Sequence, residues 1–122
     1  MRTLSEMQSA ELPKLERVRT LEYYDGPLVV EFKDEQDNPW LYSWCDRDEN
    51  AHRWLVFKIE KFLLDDYLAG KKDFLALILG KLEWFFVDTD KDFNQTCWRA
   101  NEIPAEYMPQ GECFYDAEDA EW

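Results

Sequence analysis

An α+β fold is predicted, built on a curled antiparallel sheet of about five or six strands with a helical pair inserted after the fourth. Three features of the chain predict it. Leu28, Val30 and Phe32 alternate with Val29, Glu31 and Lys33, which is the period of a strand with two unlike faces. Aromatic and β-branched runs at 40–45 and 52–59 are joined by polar loops, a spacing that suits hairpins rather than crossovers. The period then changes: Ile59, Phe62, Leu63, Asp66 and Tyr67 fall at helical spacing.

Taken in order, residues 1–14 read as an N-terminal arm or short helix. Leu4, Met7 and Glu11 are spaced as on a helix, but Pro13 stops it. Residues 15–109 form a single α+β domain whose first strand covers 16–24. Asp25-Gly26 is a turn because glycine tolerates positive φ, and Pro27, which has no donor, suits the start of the next strand. Gly70 is placed to end the first helix, and Asp73 to cap a second one that runs to Leu79 and Gly80. Residues 83–88 and 93–100 return to strand, and 103–108 read as extended between Pro104 and Pro109. Residues 110–122 form an acidic C-terminal tail.

The charge is uneven. Fourteen basic and twenty acidic residues precede Glu102, whereas Glu102, Glu106, Glu112, Asp116, Glu118, Asp119 and Glu121 follow with no basic residue, bringing the net charge to −13. Such a chain repels phosphate and has no basic stripe, so direct nucleic-acid binding is not expected; a protein partner with a basic surface is. No apolar run is long enough for a membrane helix. Cys45, Cys97 and Cys113 are widely spaced, His52 is the single histidine, and Met1 to Ala10 do not read as a secretory signal. Free thiols without export point to the cytoplasm, and no metal or other cofactor is expected.

Tyr-Tyr-Asp-Gly-Pro-Leu at 23–28, the Trp-Leu-Val-Phe strand at 54–57, the segment from Leu63 to Gly70 and Ile-Pro-x-x-Tyr-x-Pro at 103–109 resemble a group of small uncharacterised bacterial proteins. The resemblance covers roughly residues 20–109. It implies a single domain of this fold and carries no activity.

Catalytic patterns are imitated rather than met. Asp25 with Glu31-Phe32-Lys33 follows the order of a metal-dependent nuclease motif, but at too short a spacing, and Glu and Lys two apart on a strand are ordinary ion-pair partners. Asp88-x-Asp90-x-Asp92 begins like a calcium loop, yet lacks the central glycine and has Arg99 where the closing Glu belongs. The acids at 34–37, 46–49 and 88–92 read as polar turns. No serine sits in a nucleophile elbow, and Cys97 or Cys113 would need His52 beside it. No enzyme activity is therefore expected.

Six Trp, six Tyr and eight Phe can build a dense core, and Trp40, Trp44, Trp54, Trp84 and Trp98 exceed what a core of this size needs. Aromatic rings inside a charged rim are how protein-binding hot spots are built. The sequence predicts a non-catalytic binding module: an antitoxin, immunity or regulatory protein of bacterial or phage origin that docks a basic or aromatic-accepting surface. The candidate contact residues are Trp40, Trp44, Trp98, Tyr107, Glu112, Asp116, Glu118, Asp119, Glu121 and Trp122. Two alternatives stand beside it: an acidic inhibitor that mimics nucleic acid, and a small enzyme of unknown chemistry.

Overall fold

The computed structural model describes residues 7–23, 26–79, 83–108 and 114–115. Among these, one antiparallel sheet of seven strands carries two helices on one face. The strands are β1 (Gln8–Ser9), β2 (Glu16–Tyr23), β3 (Pro27–Lys33), β4 (Pro39–Arg47), β5 (Ala51–Lys58), β6 (Trp84–Asp90) and β7 (Gln95–Ala100). Helices α1 (Lys61–Leu68) and α2 (Phe74–Leu79) lie between β5 and β6. The sheet order is β1-β7-β6-β5-β4-β3-β2, and it is open, with β1 and β2 at its edges.

The α+β class and the meander hold, but the sheet has seven strands where five or six are predicted. The added strand is β1. In the part of the N-terminal segment that is described, the chain is extended rather than helical, and Gln8 and Ser9 pair with Arg99 and Trp98. Two residues carry no readable alternation, so only the pairing partner reveals them. The expected extended stretch at 103–108 is also corrected: Ala105–Tyr107 form a 3₁₀ turn, closed by the Tyr107 N–H donating to the Pro104 carbonyl at 2.9 Å. The turn brings Tyr107 down onto the sheet.

The sheet has to curl. Ser9 and Glu16 are seven residues apart, a reach of about 25 Å when fully extended. Six inter-strand gaps separate β1 from β2, which in a flat sheet would span about 29 Å. The arm at 10–15 therefore subtends a concave face, and Ala10, Leu12 and Leu15 pack against the core on that side. That core consists of Val30, Trp40, Tyr42, Val56, Phe85 and Val87. The opposite face carries the larger core, in which Leu41, Leu55, Phe57 and Phe86 of the sheet meet Leu64 and Tyr67 of α1 and Phe74, Leu77 and Ile78 of α2.

Helix α1 turns a different stripe inward than its spacing predicts. Leu64 and Tyr67 are buried, whereas Phe62 is 65% exposed. Ile59 precedes the helix and is tied to the strand layer by its N–H, which donates to the Pro39 carbonyl at 3.0 Å, so it does not set the helical face. The helix stops as predicted. Gly70 takes φ +76, its N–H donates to the Tyr67 carbonyl, and the Lys71 N–H donates to the Asp66 carbonyl. Asp73 accepts the Ala76 N–H at 3.0 Å and so caps α2. Gly80 lies outside the described residues.

Two hairpin loops are built on one plan. The Asp34 and Asp90 N–H groups donate to the Asn38 and Asn94 carbonyls, and the Asn N–H groups donate back to the Asp Oδ1 atoms, across a turn whose fourth residue has positive φ, Asp37 at 62° and Phe93 at 64°. Aspartate tolerates that region; phenylalanine, with its bulky side chain, does not. Phe93 is 85% exposed, so packing does not repay the strain. Phe93→Asn is expected to raise unfolding free energy by roughly 1 kcal/mol, and Asp37→Phe to lower it by about as much. Urea unfolding of both variants checks this; equal midpoints would mean that the two loops relax without strain.

Candidate functional site

Antiparallel pairing places Trp44 of β4 directly opposite Trp54 of β5, on the same face as the Tyr42–Val56 pair. Both indoles are half-buried. They lie at the end of the sheet that carries the β4–β5 loop, beside the start of β3. Gly26, Pro27, Leu28, Trp44, Arg47, His52 and Trp54 line a surface cleft of about 590 Å³. No residue of the arm lines it. The arm closes over Phe32 and Tyr42 instead, so among the described residues nothing covers the other end of the concave face.

The local chemistry of the cleft is specific. Trp44 Nε1–H donates to His52 Nδ1 at 3.0 Å, a bond that leaves the proton-bearing nitrogen of the ring as Nε2. Gly26 has φ +143, a conformation that disfavours a side chain, and it opens β3 at Pro27. The Tyr42 ring bridges inward from Trp54, at 6.1 Å between centroids, to Phe32 at 4.4 Å. Trp54 thus rests on a packed aromatic row, while the Trp44 ring lies 6.4 Å from that of His52.

Across the sheet from this cleft lies a buried ionic cluster. Arg53 is 3% exposed. Its Nε and Nη2 donate to the two oxygens of Asp88 at 2.8 and 2.9 Å, and its Nη1 donates to the Tyr107 hydroxyl at 2.7 Å. A β-bulge between Trp44 and Asp46 shifts the register so that Asp46 stands opposite Arg53. Burial disfavours the Arg53 charge, but the hydrogen bonds and charge of Asp88, together with Tyr107, outweigh it and raise the pKa. Burial first, then the hydrogen bond to Asp46, raises the Tyr107 phenol, while Arg53 acts in the opposite sense. The cluster ties three strands to the 3₁₀ turn.

The acidic groups of the imitated motifs are engaged within the fold. Glu31 accepts from Arg19 Nε at 2.8 Å across the β2–β3 pair, and Lys33 Nζ lies 3.8 Å from Asp37. Asp25 lies outside the described residues. Asp88 is held by Arg53, and Asp90 accepts the Asp92 and Asn94 N–H groups at 2.9 Å each. Asp48 accepts the N–H groups of Asn50 and Ala51. Among the described residues no group of three His, Cys, Asp or Glu could hold a metal ion. His52 pairs with Trp44 rather than with a thiol. Burial pushes the Cys45 thiol up to about 12 and the Cys97 thiol up to about 11, which leaves little thiolate at neutral pH.

Asp34 repeats the loop device with a core residue attached. Its Oδ1 accepts the Gln36 and Asn38 N–H groups, and its Oδ2 accepts Trp40 Nε1–H at 3.1 Å. Burial favours its neutral form, but the bonds from Trp40, Asn38 and Gln36 outweigh burial and lower its pKa. Asp48 and Asp90 are lowered chiefly by their backbone hydrogen bonds. A carboxyl whose folded pKa is depressed stabilises above its unfolded pKa, and the contribution is lost as pH falls through the folded value. Stability is therefore expected to fall steeply below about pH 4. Asp34→Asn should flatten that acid limb; an unchanged limb in thermal melts from pH 5 to 2.5 would contradict the assignment.

The candidate contact residues fall in different places. Trp40 is a core residue, 7% exposed, with its ring 6.0 Å from Phe85. Tyr107 is buried against Arg53. Trp98 is half-buried against the helix-side core, on the other face from Trp44. Trp44 lines the cleft. Glu112, Asp116, Glu118, Asp119, Glu121 and Trp122 lie outside the described residues. Leu28, Arg47, His52 and Trp54 line the cleft without being among the candidate contact residues, although Trp54 belongs to the surplus of tryptophans. Centring the hairpin on the 46–51 loop would set Trp44 opposite Arg53; the bulge between Trp44 and Asp46 shifts the register by one and sets it opposite Trp54.

No protein-family model matches the chain, and neither curated proteins nor solved structures give a significant match.

Proposed function

We propose that this protein is a non-catalytic binding module that docks a partner protein through the Trp44–Trp54 cleft. The observation that carries the reading is the cross-strand pair of half-exposed indoles at an end of the concave face that no described residue covers. Trp44 already has its N–H bonded to His52, so covering its ring strips no unsatisfied donor from water. Large rigid rings in a preformed cleft bind at low entropic cost, which is how hot-spot residues contribute most of a protein interface's affinity. Asp48 and Glu49 lie in the loop that joins the two strands, and the net charge of −13 favours a basic partner surface. The acidic tail at 110–122 adds to that attraction.

The mimicry reading gains less support. Asp34, Asp48 and Asp90 each turn inward to accept hydrogen bonds from their own loops, rather than forming a row that copies a phosphate backbone.

Affinity capture from the native host tests the proposal, using the full chain, Trp44→Ala, Trp54→Ala and a chain lacking 110–122. The expected result is a protein retained stoichiometrically by the full chain and lost with either Trp variant, both variants remaining folded by circular dichroism. Truncation of the tail should weaken capture chiefly at low salt. Capture that is indifferent to both tryptophans would overturn the assignment.

A further inference from the structure

The polar lining of the cleft is one-sided. Among the described residues its polar side-chain groups are donors: the Arg47 guanidinium, the Trp54 indole N–H and the Nε2–H of His52. The one acceptor, His52 Nδ1, is taken by Trp44. Around these donors stand the apolar surfaces of Pro27, Leu28 and the two indoles.

A proline-rich segment is the peptide with the matching inventory. Proline has no N–H, so such a segment presents carbonyl acceptors without competing donors. In the polyproline II conformation those carbonyls are fully solvated and the rings form an apolar ridge that fits between aromatic side chains. A segment with free backbone N–H groups finds no free side-chain acceptor among these lining residues to receive them. Asp48 and Glu49 lie in the loop that follows Arg47 and favour Lys or Arg beside the prolines.

We infer that the Trp44–Trp54 cleft receives an extended proline-rich segment of the partner protein, flanked by basic residues. The inference deepens the docking reading and rests on it. Indole rings pack against successive prolines, while Arg47 and His52 donate to the segment's carbonyls. The segment is already extended before it binds, so little ordering entropy opposes the complex.

The test uses acetylated peptides of six prolines followed by two arginines, of six alanines followed by two arginines, and of six prolines followed by two glutamates. Each is titrated into the full chain while the indole N–H resonances of Trp44 and Trp54 are followed by NMR. The proline–arginine peptide is expected to shift both resonances saturably. The alanine peptide should bind about tenfold more weakly or worse, and Trp54→Ala should weaken the proline–arginine peptide to a similar degree. The glutamate peptide should fall between, and the arginine advantage should shrink with salt. No saturable shift, or equal binding of the alanine peptide, overturns the inference. If the proline peptides fail while Trp44→Ala and Trp54→Ala still abolish capture of the host protein, the docking site stands and only the segment chemistry is wrong. If neither the peptides nor capture depend on the tryptophans, both fail.

Discussion

Arg53→Met is expected to lower the unfolding free energy by about 3–5 kcal/mol, the cost of leaving a buried ion pair with one member. The substitution keeps most of the apolar stem and removes the guanidinium. Asp88 then loses two hydrogen bonds and its neutralising charge, and the Tyr107 hydroxyl loses its donor. The 3₁₀ turn at Ala105–Tyr107, held to the sheet through that hydroxyl, should loosen with it. Arg53→Met combined with Asp88→Leu is expected to recover much of the loss, because no charge is then stranded. Chemical denaturation of the single and double variants checks both statements. A single variant within about 1 kcal/mol of the parent would mean that water replaces the guanidinium freely.

Removal of residues 1–15 is expected to abolish cooperative unfolding or to cost at least about 5 kcal/mol. The deletion takes away β1 and the arm, and with them the cover that Ala10, Leu12 and Leu15 give to Phe32 and Cys97. Exposure of on the order of 200 Å² of apolar surface at ~25 cal/mol per Å² accounts for that magnitude. The truncated chain should bind a hydrophobic dye and lose near-ultraviolet dichroism while it retains strand signal. A truncated chain that melts like the parent would show that the concave face needs no cover, and with it the geometric case for the curl would fail.

The hairpins from 16 to 58 were legible because each combines alternation with a polar turn, but the register of β4 on β5 was not, since the bulge between Trp44 and Asp46 shifts it by one. The stops at Gly70 and Asp73 were legible from local chemistry alone. What escaped was non-local. Arg53 reads as a solvent-facing strand residue until Asp88 and Tyr107, 35 and 54 positions away, close on it. Trp40 looked available to a partner until Asp34 and Phe85 enclosed it. β1 is two residues long and is defined only by β7. For the site, composition pointed to aromatic contact residues and identified Trp44, but the pairing that adds Trp54, and the loop that adds His52, belong to the sheet. The bulge that turns Asp46 toward Arg53 had no signal in the sequence.

Side-chain oxidative footprinting of the protein bound to its captured partner tests the docking site most directly, since it reports which rings become covered without altering any of them. The account predicts protection of Trp44, Trp54, His52 and Leu28 on complex formation, with Phe62 and Leu79 on the helices as reactive as in the free protein. Phe62 and Leu79 are each 65% exposed and serve as the internal reference. Protection centred on those helical residues, with Trp44 and Trp54 unchanged, would contradict it.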